Sequence, residues 1–255
     1  MKFAFAGDWH GDFPYALKAI KYAAKQGAEF IIHVGDFGIW PEWDNQGEAR
    51  VPFLSLSETL EKLGLTLIFV EGNHEHHEWL NMQPVDDDGF RRLTESIWHA
   101  PRSLVFELDG VRFMGFGGAV SIDRELRVPG VDWFPEEVYT YSDCMRAFNE
   151  GSVDVLVTHD APDGVTPVTG NPMGIPTGLH QDLYYGRMML GAVVNAVEAK
   201  HVFHGHFHTR YDEMRELEGL QTWVHGLHMN KNPFTENMSL WDSDDLLKLQ
   251  ESPSN

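Results

Sequence analysis

Five short apolar runs in this chain end in the same chemistry. Phe3–Ala6 runs into Gly7-Asp8, Glu29–Val34 into Gly35-Asp36, and Leu65–Val70 into Gly72-Asn73-His74. Val153–Thr158 runs into His159, and His201–His204 into Gly205-His206-Phe207-His208. Runs this short and this apolar, bounded by glycine, read as buried strands. Between the first three lie stretches of helical period: Pro14–Gln26, opened by Pro14 and closed by Gly27, and Glu48–Leu63, closed by Gly64. Strand, helix, strand, helix, strand with short links specifies a parallel sheet. A chain of 255 residues is long enough to bury both of its faces.

Beyond residue 100 the pattern changes. Ser103–Leu108 and Val111–Phe116 flank Asp109-Gly110, a strong signal for a tight hairpin. Glu136–Asn149 and Gln181–Ala199 have helical period, Tyr211–Leu217 and Leu220–His225 read as a second hairpin, and Met238–Asp242 as a last strand. No repeat or linker divides the chain. Residues 1–242 are therefore expected to form one α/β domain, followed by a polar, acidic tail, 243–255, that frays. The Gly- and Pro-rich segment Ala161–Thr177 reads as a loop over a site.

Nineteen Lys and Arg against thirty-nine Asp and Glu leave a formal charge of -20. Such a surface repels polyanions, which disfavours nucleic-acid or membrane-surface binding as the primary role. Cys144 is the only cysteine, so there is no internal disulfide framework. No run reaches the length of a membrane span, and the apolar start is too short for a signal peptide. The reading is a soluble protein of the cytoplasm.

The strand-end residues make sense as a group. In open α/β sheets, loops beyond the carboxyl ends of strands converge. Asp carboxylate, Asn carbonyl and imidazole are donors that Mn, Fe, Zn, Co or Ni accept. Asp8-x-His10 and His206-x-His208 each put two donors on one side of an extended loop, because the strand period is two. One central carboxylate can bridge two ions, the arrangement used to clamp an in-line displacement at phosphorus.

Asp8-x-His10, Gly35-Asp36, Gly72-Asn73-His74-Glu75, His159 and Gly205-His206-x-His208, in that order, resemble the calcineurin-like metallophosphoesterase family. The resemblance implies a four-layer α/β/β/α sandwich with mixed sheets and a centre of two divalent transition-metal ions, Mn favoured. It assigns Asp8, His10, Asp36 and His208 to one ion and Asp36, Asn73, His159 and His206 to the other. His74 becomes an acid beside the site. A water bridging the ions would lose a proton and attack phosphorus, and His74 would protonate the leaving oxygen. Asp160 is the candidate to orient His159.

One departure bears on the substrate. The phosphoprotein phosphatases of this family carry Asp-Arg-Gly soon after the second motif, whereas Gly35-Asp36 is followed here by Phe37-Gly38-Ile39-Trp40. The expected substrate is therefore a small phosphate ester, a nucleotide among the options, with diesters ahead of monoesters. Arg124 and Arg127 are the candidates to supply the missing cation. A nuclease and a catalytically silent interaction module are the alternatives. Trp133-Phe134-Pro135 and Tyr184-Tyr185 could wall a base-stacking pocket; His76, His77 and His99 read as structural or solvated, and His225 and His228 as residues that could reach the site edge.

Overall fold

The computed structural model describes residues 1–40, 50–167 and 177–248. In chain order the first half contains β1 (Lys2–Ala6), α1 (Phe13–Lys25), β2 (Phe30–His33), α2 (Arg50–Leu63), β3 (Thr66–Phe69), α3 (His77–Met82), β4 (Arg91–Arg92) and β5 (Ile97–His99). There follow β6 (Leu104–Leu108), β7 (Val111–Phe116), α4 (Tyr141–Ala147), β8 (Val155–Thr158), α5 (Thr177–Ala196) and β9 (His201–His204). The chain closes with β10 (Tyr211–Leu217), β11 (Leu220–Gly226), α6 (Phe234–Asn237), β12 (Met238–Asp242) and α7 (Ser243–Leu246).

Two six-stranded sheets result, ordered β12-β1-β2-β3-β5-β4 and β10-β11-β9-β8-β7-β6. In the first, β1, β2, β3 and β5 are parallel and both edge strands antiparallel. The second repeats the scheme, with β7, β8, β9 and β11 parallel between antiparallel β6 and β10. Both sheets are therefore mixed.

Side-chain alternation along the strands sets the layers. Phe3, Phe5, Ile32, Val34, Ile68 and Val70 of the first sheet meet Phe113, Val155, Val157 and Phe203 of the second in one core. The opposite faces, Ala4, Ile31 and Leu67 on one side and Met114, Leu156 and Val202 on the other, pack against helices. Ile20, Ala23, Leu56 and Leu60 of α1 and α2 cover the first sheet, and Cys144, Ala147, Leu190 and Val194 of α4 and α5 the second. The architecture is the four-layer α/β/β/α sandwich.

Local signals explain the boundaries. Asp12 caps α1 by accepting from the Tyr15 amide at 3.1 Å, as short polar side chains do at helix starts. The β6–β7 hairpin turns at Asp109-Gly110, both left-handed (φ 52° and 77°), as a two-residue primed turn requires. The single helix expected over Glu136–Asn149 is instead a 3-10 turn, Pro135–Glu137, followed by α4. Thr140 and Asp143 form a reciprocal cap, with Asp143 Oδ2 accepting from the Thr140 amide at 2.6 Å, which starts a new helix there. α5 begins at Thr177, before the expected Gln181. Most of the expected site loop, 168–176, lies outside the described residues.

The tail does not fray from Ser243 as expected. Residues 243–246 form α7, Leu246 is fully buried in the core between the sheets, and Ser243 Oγ donates to Asp109 Oδ2 at 2.7 Å. One apolar residue, Leu246, anchors the described part of this acidic segment, residues 243–248.

Across the two sheets Phe5 stacks on Phe203, ring centroids 3.6 Å apart and planes 6° from parallel. Phe203→Ala is expected to destabilise the metal-free protein by about 3–5 kcal/mol, since the rigid sheets cannot collapse into the cavity. Urea unfolding of both variants checks this, and a loss below about 1 kcal/mol would show that the layer repacks.

Candidate metal centre

The strands β1, β2, β3, β8 and β9 all deliver their following loops to one end of the sandwich, where the two sheets lie face to face. Asp8 and His10 follow β1, Asp36 follows β2, Asn73 and His74 follow β3, His159 follows β8, and His206 and His208 follow β9. All seven side chains singled out as metal donors come together there. His10 Nε2 is 3.3 Å from Asp36 Oδ2, His159 Nε2 3.4 Å from Asp36 Oδ1, and His208 Nε2 3.0 Å from Asp8 Oδ2. Asn73 Oδ1 lies 3.0 Å from His159 Nε2 and 2.9 Å from His206 Nδ1. Asp8, His10 and His208 present donor atoms within 4.8 Å of one another, as do Asp8, Asp36 and His159.

Backbone geometry builds this cluster. His10, Asp36, His206 and His208 all adopt left-handed conformations, φ 47°, 52°, 63° and 52°. Each costs a non-glycine residue on the order of 1 kcal/mol or more. The bends are held by hydrogen bonds: the amides of Trp9 and His10 donate to the Asp36 carbonyl at 3.0 and 2.8 Å, and the His206 amide donates to Asp8 Oδ2 at 3.0 Å. The loops approach so closely that glycine is required. A Cβ at Gly72 would come within 2.1 Å of Asp36 Oδ1, and one at Gly205 within 1.9 Å of Asp8 Oδ1.

The imidazoles are oriented from behind. His159 Nδ1 donates to the Val34 carbonyl at 2.8 Å, so it is Nε2 that faces the centre. Asp160 does not serve here; its Oδ1 accepts from the Ala161 amide at 2.7 Å. His10 Nδ1 donates to Asn230 Oδ1 at 3.3 Å, and Asn230 Nδ2 in turn donates to Asp12. Asn73 Nδ2 donates to Ser121 Oγ at 3.0 Å, and Ser121 donates through Oγ and its amide to Glu137 at 2.6 and 2.7 Å. This relay turns the Asn73 carbonyl oxygen toward the histidines. Sequence reading missed Ser121, Glu137 and Asn230. Only the Ser121 position, in a Gly-rich loop after β7, carried any hint.

Burial decides the electrostatics. Asp8 and Asp36 are 0% and 1% exposed, and among the described residues their ion-pair partners are all imidazoles. Isolated buried carboxylates are costly, so this end of the fold demands positive charge. Without metal, protons supply it. Burial opposes the charged form of His159, but Asp36 outweighs it and pushes the pKa up to about 10. His10 responds likewise, burial against Asp36, and reaches about 9. Burial would raise Asp36, yet His159 and His10 hold it well below the usual carboxylate range. Oxygen and imidazole donors around an uncompensated negative charge fit divalent transition ions.

The remaining predicted residues divide. The His74 ring stands 5.7 Å from that of His10, and its amide donates to Asp36 Oδ1 at 2.8 Å. Arg127 reaches it, Nη2 lying 2.8 Å from His74 Nε2. Arg124 does not accompany it; its Nη2 pairs with Asp182 of α5 at 2.5 Å. Phe134 packs on the His76 ring, while Tyr184 and Tyr185 are exposed. His225 is buried in a stack on Phe203 and bound to Asp212, so it does not reach the centre.

Comparison with known proteins agrees with this geometry. A sequence profile of the calcineurin-like phosphoesterases matches residues 1–210. No curated protein matches the chain by sequence. A protein of Thermus thermophilus superposes with a TM-score of 0.52 at 12% identity, over 89% of each chain. A dimetal phosphatase from Danio rerio gives 0.52 at 11% identity, over 94% of this chain and 91% of that one. Likeness at such identities speaks for the fold alone. No helix among the described residues is long and apolar enough to cross a membrane. The profile spans every strand-end motif from Gly7 to His208, and this chain belongs to the calcineurin-like phosphoesterase family.

Proposed function

We propose that this chain is a metal-dependent phosphoesterase whose preferred substrate is a small phosphodiester. The observation that carries the proposal is the pair of buried carboxylates, Asp8 and Asp36, ringed by imidazoles and an amide oxygen with no Lys or Arg partner among the described residues. Asp8, His10, Asp36 and His208 would hold one ion, and Asp36, Asn73, His159 and His206 a second, with Asp36 shared. When bound, divalent ions such as Mn would supply Lewis acidity toward a phosphoryl oxygen and acidify water.

The protein's own groups position the ester. His10 and His208 are partly exposed while Asp8, Asp36 and His159 are buried, so the centre opens to solvent on the imidazole side. His74 stands at that mouth as the group next to the leaving oxygen. Burial lowers its pKa, and Arg127 and His10 add to this against the opposing charge of Asp36. In the free protein His74 is thus a neutral acceptor for Arg127, and once protonated it is a strong proton donor. The Arg127 guanidinium is itself paired with Asp123, Nη2 to Oδ2 2.8 Å. The mouth therefore holds no uncompensated cation among the described residues for the second negative charge of a monoester, which favours diesters. The overall charge of -20 weighs against a nuclease, because a polynucleotide brings many phosphates.

The pH dependence follows from the imidazoles. His10 and His159 are raised from 6.5 to about 9 and about 10 when no metal is present. A raised pKa stabilises fully below the unfolded value and is lost as pH rises through the folded one. The metal-free protein is expected to lose thermal stability from pH 6.5 upward through pH 9–10. Loading metal near pH 7 is expected to release about two protons per chain. Melting curves and calorimetry in two buffers test this; a level profile in wild type and in Asp36→Asn alike would remove the imidazolium–carboxylate pairs.

Ser121→Ala should free the Asn73 amide to rotate, weakening the ion at Asn73 about 10–100-fold while the fold persists. Elemental analysis after dialysis against limiting Mn should find the bound metal reduced, with Ser121→Thr restoring it. Unchanged metal content would free Asn73 from dependence on the relay.

Substrate class is tested by kcat/KM for a nitrophenyl diester and the matching monoester with Mn. The diester is expected to be preferred. Arg127→Ala should lower both by about tenfold, and Arg124→Ala neither. A monoester preference that Arg127→Ala abolishes would move the assignment to a phosphatase.

A further inference from the structure

Arg102 stands behind the relay that turns Asn73, between β5 and β6 and outside every strand-end motif. Its side chain is 11% exposed, so its guanidinium donors must find partners within the protein. Nε lies 2.8 Å from Glu71 Oε1 and donates to the Gly117 carbonyl at 2.9 Å. Nη2 donates to the carbonyls of Glu136 and Glu137 at 2.7 and 3.2 Å, and Nη1 to that of Val138 at 3.3 Å. One planar group thus ties together the chain just beyond β3, the chain just beyond β7 and the 3-10 turn Pro135–Glu137.

Each of these segments carries one member of the relay. Asn73 is two residues beyond Glu71, Ser121 is four beyond Gly117, and Glu137 lies in the turn itself. The segments also meet directly. The Gly118 amide donates to the Glu71 carbonyl at 2.7 Å, and a Cβ at Gly118 would stand 2.4 Å from the Glu137 carbonyl oxygen and 2.6 Å from Arg102 Nη2. The second oxygen of Glu71 accepts from His99 Nε2 at 2.8 Å, which fixes to β5 the carboxylate that holds the guanidinium.

The residue type follows from the task. The last carbonyls of a helical turn lack partners within it, and the forked guanidinium supplies donors to three in succession while still reaching Glu71. A lysine ammonium carries the same charge at one point and cannot span these acceptors. Among the described residues Arg102 bonds none of the seven proposed donors, so it acts on them only through the backbone it holds.

We infer that Arg102 is a positioning residue for the ion at Asn73. By fixing the 3-10 turn against the chain beyond β3 and β7, it sets where Glu137 presents its carboxylate, and hence how Ser121 turns the Asn73 amide. The inference rests on the two-ion reading of the centre.

Calorimetric titration of Mn into the whole, metal-stripped chain reads both ions, and the wild type is expected to take up two. Arg102→Lys keeps the charge and loses the fork. It should weaken the ion at Asn73 about 10–100-fold and leave the ion at Asp8 and His208 in place. Adding Ser121→Ala should cost little more than either change alone, because both act on one amide. Arg112→Lys, which likewise gives up bonds to backbone carbonyls, those of Glu150 and Ser152, should alter neither ion. A measurement on the unaltered chain depends on no variant folding: Mn should slow amide exchange at Ser121 and Val138 but not at Arg112, since coupling is reciprocal. In a wild type that binds two ions, four results overturn the role of Arg102 alone: wild-type Mn binding by Arg102→Lys, equal weakening of both ions, additive losses in the double variant, or unchanged exchange at Ser121 and Val138. A wild type that takes up fewer than two ions overturns the two-ion reading, and this role with it.

Discussion

Two carboxylates, Asp8 and Asp36, sit essentially out of reach of water between two sheets, and the imidazoles around them are the cationic partners they have among the described residues. A buried charge must be met by opposite charge or neutralised. Every loop at this end of the sandwich answers that demand. β1 and β2 bring the acids, β3 an amide oxygen, and β8 and β9 the imidazoles. Protons on His10 and His159 satisfy the acids when no ion is bound, so a cation held by the same geometry would have an affinity that depends on pH.

Backbone strain is the cost of this convergence. Four donor residues lie in the left-handed region, and the glycines beside them leave room for a carboxylate where any side chain would collide. Strain of this kind persists only where the surroundings over-determine it. Here the amides of Trp9, His10, His74 and His206 all donate to Asp36 or Asp8, so the bent loops and the acids stabilise one another. The stacked Phe5 and Phe203 fix the sheets that carry those loops. Packing in the middle of the molecule thus sets distances at its edge.

The mouth of the centre differs from the buried floor. Arg127 stands next to His74 but shares its charge with Asp123, and Arg124 turns to α5. A cation held by its own carboxylate orients an anion without attracting a dianion strongly. That balance, and the strongly negative chain as a whole, shape which phosphate esters the site can favour.

The strand-end motifs were legible in the sequence because each is local: an apolar run that must be buried, then a residue the chain must turn sharply to place. Their order and spacing, through the family resemblance they carry, sufficed for the fold class and for the set of side chains that meet at one end of the sheets. Other features depended on contacts between residues far apart in the chain. Whether Arg124 or Arg127 reaches His74 is decided by Asp182, on a helix more than fifty residues away. The acceptor behind His159 is a backbone carbonyl, Val34, which no residue type announces. Asn73 is turned by Ser121 and Glu137, and residues 243–248 are pinned by Leu246 slotting between the sheets. Sequence pattern reports what each segment must bury, whereas the partner it meets depends on how the layers close, and only the tertiary structure decides that.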